Sequence, residues 1–280
     1  MKKWVTLLFA AVLVLGLAAC GKSDNEKSSG DNGNKETTLV VGASNTPHSV
    51  ILEKAKPLLK EKGINLEIKK FTDYVLPNKS LESKDLDANY FQHIPYLDKQ
   101  IKDFGYDFVN AGGVHIEPMG IYSKKYKSLD ELPKGAKILM SNSVADHGRI
   151  LTLFEKNGLI KLKDGINKDE ATIKDIVENP KNLKFDYEFD PAFLTTAYNN
   201  GEGDAVVINS NFAIDVGMNP KTDSIAIEGD DSPYVNIIAV RKGDENKKAI
   251  KALVEVLHSK EIQDFILKEW KGSVVPVKGE

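Results

Sequence analysis

TLVVGASNTPHSVILEKAKPLLKEKGINLEIKKF, residues 38–71, is the stretch on which the fold turns. Residues 39–42 are β-branched and apolar enough for a buried strand. Ile51, Leu52, Ala55, Leu58 and Leu59 then recur at helical spacing, and Gly63 punctuates the end of that helix. Residues 66–71 form the next strand. A strand, a helix and a second strand in so short a span make a βαβ unit, the building block of a largely parallel sheet.

The same alternation continues outward. A helical turn is expected over 80–85, leading into Asp87-Ala88-Asn89-Tyr90, with a short buried strand at 108–109 and an extended crossing over 120–123. A second α/β unit follows, with strands at 137–140, 183–189 and 205–208 and helices at 148–157 and 191–198. Residues 235–240 cross back. Ile250, Leu253, Val254 and Leu257, then Ile262, Phe265, Ile266 and Trp270, mark two amphipathic helices at the C-terminus. The expected architecture is two α/β lobes, 38–120 plus 235–280 and 121–234, joined by two crossover strands with a ligand cleft between them. Such clefts close on solutes by hinge motion.

Upstream, Lys2 and Lys3 precede an apolar run from Trp4 to Leu17, then Ala18, Ala19 and Cys20. A positive start, a short apolar core and small residues before a cut make an export signal, 1–19. The run is well short of the ~20 residues needed to span a bilayer. Cys20 is the only cysteine, so no intramolecular disulfide is possible. Leu-Ala-Ala-Cys resembles the bacterial lipobox, which implies Cys20 as the lipidated first residue of the mature chain. Residues 20–37 then hold almost no apolar side chain and read as a flexible tether. The formal net charge is −3 with 28% charged residues of mixed sign, so there is no basic face for nucleic acid, and membrane contact falls to the lipid alone.

Several linked segments carry a resemblance across the whole chain: VGASNTPHSVIL (41–52), DYVLPNKSLESKDLDANYFQHIPYL (73–97), VHIEPMGIYSKKYKSLDELP (114–133), HGRILTLFEKNGLIKLKDG (147–165), VENPKNL (177–183), GDAVVINSNFA (203–213) and SPYVNIIAVRK (232–242). Together they resemble the methionine-binding lipoprotein family of NlpA/MetQ type. The resemblance implies a type II periplasmic-binding-protein-like fold on the outer face of the cell membrane. It also implies methionine or a close relative, such as D-methionine or a methionine dipeptide, as ligand, and delivery to the permease and ATPase of an ABC importer.

A free amino acid presents a carboxylate, an ammonium group and a side chain, so its site needs a cation, oxygen acceptors and an apolar slot. Arg149 is the candidate for the carboxylate, because a guanidinium fork makes two parallel bonds. Its placement after Gly148 near a helix start adds backbone N–H groups and the helix dipole. Alone it reads equally as a solvated arginine; the resemblance, in which the arginine of the Gly-Arg step grips the carboxylate, decides for the first role. Asn209, after the strand 205–208, and Asn236, beside Tyr234, offer amides able both to donate and to accept. Asn211 reads as a cap of the next helix.

The thioether slot is expected from Tyr74, Phe91 and His93, since sulfur gains from contact with aromatic rings. If 89–93 is extended, Phe91 and His93 share one side and Tyr90 faces the other, which leaves Tyr90 between wall and core. Glu117 either pairs with a ligand ammonium or serves as a hinge carboxylate satisfied by backbone N–H groups. His48 reads as structural or as part of the cleft mouth.

Two other classes fit less well. The five histidines make no pair at the spacing of zinc sites, which argues against metal capture and against any cofactor. A hydrolase lacks its nucleophile elbow, and the single cysteine is assigned to lipid. The alternative reading is a binding protein for another small amino acid or for a metal ion.

Overall fold

The computed structural model describes residues 36–229 and 232–277. Cys20, the export signal and nearly all of the tether lie outside the described residues. In chain order the elements are β1 (Thr37–Ser44), α1 (Val50–Glu61), β2 (Ile64–Phe71), α2 (Leu76–Glu82), β3 (Ala88–His93), α3 (Ile94–Phe104), β4 (Phe108–Ile116) and β5 (Gly120–Tyr122). There follow β6 (Lys137–Ser141), α4 (Val144–Lys156), β7 (Lys161–Leu162), β8 (Ile176–Glu178), β9 (Lys184–Phe189), α5 (Leu194–Asn199), β10 (Ala205–Ile208), α6 (Ser210–Asp215) and α7 (Pro220–Asp223). The chain ends with β11 (Ala226–Ile227), β12 (Val235–Arg241), α8 (Lys248–Leu257), α9 (Lys260–Glu269) and β13 (Val275–Pro276).

The opening βαβ unit forms as its spacing predicts: β1 and β2 are parallel, in register from Thr37 opposite Ile64 to Ser44 opposite Phe71. They belong to a sheet of order β13-β4-β12-β3-β1-β2. A second sheet has the order β11-β5-β10-β6-β9, with β6 parallel to both β9 and β10. Each sheet is covered on both faces, which is why β10 and most of β1, β6 and β12 are apolar rather than alternating, whereas β3 buries the polar Asn89, Gln92 and His93. In the first sheet, Val41, Tyr90 and Ile238 pack with Ile51 and Leu59 of α1, Leu253 of α8 and Ile266 of α9, while Leu81, Leu97 and Ile237 fill the opposite face. In the second, Ile138 and Val207 pack with Ile150 and Phe154 of α4, and Leu139 and Val206 meet Leu194 and Ala197 of α5 on the other side.

Helix α3 is absent from the sequence reading, although Ile94, Leu97, Ile101 and Phe104 recur at helical spacing and its punctuation is plain. Pro95 sits in its first turn and Gly105 ends it in the left-handed conformation at φ 72°. The segments read as crossings also differ in extent. Gly120–Tyr122 is already paired to β10 and β11, and β12 runs the length of the first sheet between β3 and β4. The outward passage between sheets is compressed into 117–119. No helix among the described residues is long and apolar enough to cross a membrane.

Candidate functional site

Strands β1, β3, β6 and β10 all end facing the junction of the two sheets, the place where open α/β sheets offer ligands a crevice. A hollow lies there, with about 410 Å³ not filled by atoms and part of it open to solvent. Tyr74 after β2, Phe91 and His93 of β3 and Asn236 of β12 line it from the side of the first sheet, and Arg149 of α4 and Asn209 after β10 from the side of the second. Thus all six principal candidates meet in one cavity. Glu117 joins them from the outward passage. Tyr90 does not: it lies in the core of the first sheet, fully buried, with its hydroxyl 2.5 Å from His115 Nδ1.

Local structure explains how each side chain arrives. β12 carries a register shift at Asn236 against both β3 and β4, and such a bulge re-aims a side chain out of its ladder. His93 ends β3 and caps α3, its Nδ1 accepting from the Tyr96 backbone N–H at 3.1 Å. The other nitrogen, Nε2, therefore carries the proton, and it lies 3.8 Å from Asp146 across the hollow. Asn209 precedes α6 but makes no side-chain cap. Its Nδ2 donates to Asp146 at 3.4 Å, and its buried Oδ1 has no partner among the described residues.

Three findings differ from the sequence reading. Helix α4 begins at Val144, a turn earlier than expected, so Arg149 lies inside it and the buried Asp146 occupies the N-terminal turn. Burial alone would raise the Asp146 carboxyl, but His93 and Arg149 hold it below its ordinary value. Second, the guanidinium of Arg149 already has a carboxylate partner: Nε donates to both oxygens of Glu228 at 2.8 and 2.9 Å, and Nη2 to Glu228 at 2.5 Å and to the Glu117 carbonyl at 2.7 Å. Tyr234 covers its face, with the ring centroid 4.5 Å away. Third, Asn211 is a lining residue inside α6 rather than a cap, and its Oδ1 accepts from the Tyr74 hydroxyl at 2.6 Å, linking the two sides of the hollow.

Sequence reasoning missed Glu228, Asp146, Tyr96 and Gln92. Only Asp146, three residues before the chosen arginine, carried any local signal. Gly148 is explained by close packing: a Cβ there would collide with the Lys168 carbonyl oxygen.

Beneath the lining, Glu117 accepts from His115 Nε2 at 2.8 Å and lies 3.3 Å from His48 Nε2. Burial drives the Glu117 carboxyl upward, opposed by His48, by Arg149 and by the Asn211 backbone N–H. So Glu117 is held within the protein while also reaching the hollow. His48, His115 and Glu117 have donor atoms within 4.8 Å of one another, a grouping that residue spacing did not disclose. Within the three, Glu117 accepts from His115 and faces His48, and the remaining ring nitrogens are taken by Ser44 and Tyr90.

Two α/β lobes with a polar, ring-lined hollow at the carboxyl ends of their strands define a type II periplasmic-binding-protein-like fold. The chain belongs to the NlpA lipoprotein family, whose model matches residues 39–278. It is 52% identical over 273 residues to the methionine-binding lipoprotein MetQ of Bacillus subtilis (strain 168), covering 97% of this chain and 96% of that protein. It is 39% identical to the D-methionine-binding lipoprotein MetQ of Salmonella typhi, over 98% of each chain. Among solved structures, a nutrient binding protein from Burkholderia cenocepacia bound to methionine superposes with a TM-score of 0.81 at 44% identity, covering 85% of this chain and 99% of that one.

Proposed function

We propose that this chain captures methionine, in its L or D form or within a short peptide, and delivers it to an ABC importer from a lipid anchor on the outer face of the cell membrane. The observation that carries the reading is the meeting, in one interlobe hollow, of a guanidinium, an unpartnered amide oxygen and a wall of aromatic rings. Arg149 takes the ligand carboxylate, Asn209 Oδ1 the ammonium, and Phe91, Tyr74 and His93 enclose the thioether. The methionine-bound Burkholderia relative supports this assignment of ligand class. Lobe 1 comprises 38–120 with 235–280, and lobe 2 comprises 121–234. Closure follows from contacts the ligand makes with both lobes at once. No chemical step is assigned, and the partners are the permease and its ATPase.

Mass spectrometry of small molecules released on denaturing the purified protein, with calorimetry against L-methionine, D-methionine and Gly-Met, tests the ligand. Release or tight binding of a different amino acid class, with none of these three bound, would reject the reading. Cys20→Ser should move the protein from the membrane to the soluble fraction; continued membrane retention would reject the anchor.

A further inference from the structure

Below the hollow lies a buried cluster of hydrogen-bonded groups, joined by one longer contact between His48 and Glu117. Glu117 lies between His115 Nε2 and His48 Nε2, at 2.8 and 3.3 Å. His48 Nε2 also reaches Asn236 Oδ1 at 3.0 Å, and His48 Nδ1 reaches Ser44 Oγ at 3.0 Å. Both histidines, Glu117 and Asn236 are at most 6% exposed.

The carboxylate resolves the protons. An ionised Glu117 only accepts, so the Nε2 facing it must carry hydrogen. Burial keeps the imidazole of His48 neutral, with its pKa lowered to about 4, so His48 Nδ1 is an acceptor and Ser44 donates to it. The Asn236 atom facing a donor nitrogen must then be its carbonyl oxygen. That leaves the Asn236 NH2 turned toward the hollow. Were His48 in its other tautomer, the amide would gain by turning over and would offer an oxygen to the ligand.

We propose that His48 is a positioning residue: with its tautomer set by Glu117, it holds the Asn236 amide donor-first and so selects a ligand bearing an acid group at that point. The inference rests on the methionine reading above and deepens it.

The test compares L-methionine with L-methioninol, which keeps the ammonium and thioether but replaces the carboxylate by a hydroxymethyl group. His48→Leu should weaken L-methionine about 10-fold and methioninol less than about 2-fold, a differential of at least about fivefold, or about 1 kcal/mol. His48→Gln, which keeps an N–H near the Nε2 position, should restore most of the affinity. The His48→Leu/Asn236→Ala pair should bind L-methionine no more weakly than Asn236→Ala alone. Additive losses, equal weakening of both ligands, or no rescue by glutamine would each overturn the positioning role. Should His48→Leu fail to fold, Asn236→Asp decides: loss of L-methionine with methioninol retained supports the donor orientation, and unchanged L-methionine binding overturns it. Failure of the unaltered protein to bind L-methionine would overturn the methionine reading itself, and the positioning role with it.

Discussion

Arg149 and Glu228, 79 residues apart, form a forked ion pair at the edge of the hollow, and it occupies the Nε and Nη2 edge of the guanidinium. The pair is almost dry, with side-chain exposures of 4% and 12%. Glu228 thus neutralises a buried cation and aims it. A ligand acid group is left with the Nη1 end of the fork rather than with the two-bond edge that the isolated sequence suggested.

Two substitutions separate aiming from gripping. Arg149→Ala should weaken methionine binding by about 1.5–3 kcal/mol, the worth of a bond to a charged group. Glu228→Ala should cost about 3 kcal/mol of folding stability by stranding the guanidinium, with Glu228→Gln losing less because an acceptor oxygen remains. Calorimetry and urea denaturation read the two effects. Unchanged affinity in the arginine variant would remove Arg149 from the site.

Asn209→Ala should separate stability from binding. Its buried Oδ1 lacks a partner among the described residues and its Nδ2 makes only the long 3.4 Å bond to Asp146, so truncation should shift the stability of the ligand-free protein by less than about 1 kcal/mol. Methionine affinity should nonetheless fall about 10-fold, because the ammonium loses an acceptor. A large stability loss at constant affinity would contradict this.

Tyr74→Phe removes one hydroxyl and with it the 2.6 Å bond to Asn211 that spans the hollow. The ring wall stays. The expected result is a loss of about 1 kcal/mol in affinity, carried mainly by faster release because the lobes part more readily. Stopped-flow fluorescence can resolve it; slower association at constant release would point away from a closing contact.

Acid should destabilise the fold over a defined window. Burial lowers His48 to about 4 and His115 to about 3, from 6.5 in an unfolded chain. Below pH 6.5 the unfolded state therefore binds protons that the folded state refuses, and stability falls with falling pH until each folded value is passed. Each histidine adds a slope of up to about 1.4 kcal/mol per pH unit. Denaturation midpoints at pH 7, 6 and 5 should decline accordingly, and His115→Gln should flatten the curve. A flat profile in the unaltered protein would mean these imidazoles are not buried and neutral.

Much of the architecture was legible because strands and helices advertise their own burial. The β-branched run 39–42 and the helical spacing from Ile51 to Leu59 mark faces that must be covered, whatever covers them. Helix α3 was legible too, since Ile94, Leu97, Ile101 and Phe104 recur at helical spacing, but it follows β3 with no intervening turn and its start was absorbed into the aromatic segment 89–93. The start of α4 was placed late because Val144, at 53% exposed, adds no core face, and the first turn serves the hollow instead.

Residue chemistry was written in the chain itself: a lone cysteine beside an export signal, one arginine after a glycine, amides after strands, and rings spaced to share a side. These follow from covalent identity and local periodicity, which need no partner to be expressed. Tertiary structure alone decided that Arg149 is met by Glu228, that Tyr90 turns inward to His115, and that His48 reaches Asn236 across 188 residues. A hydrogen bond depends on where two surfaces come to rest and on which group is left dry between them. That is settled by the packing of whole sheets and by the charge enclosed there, and no window of sequence contains it.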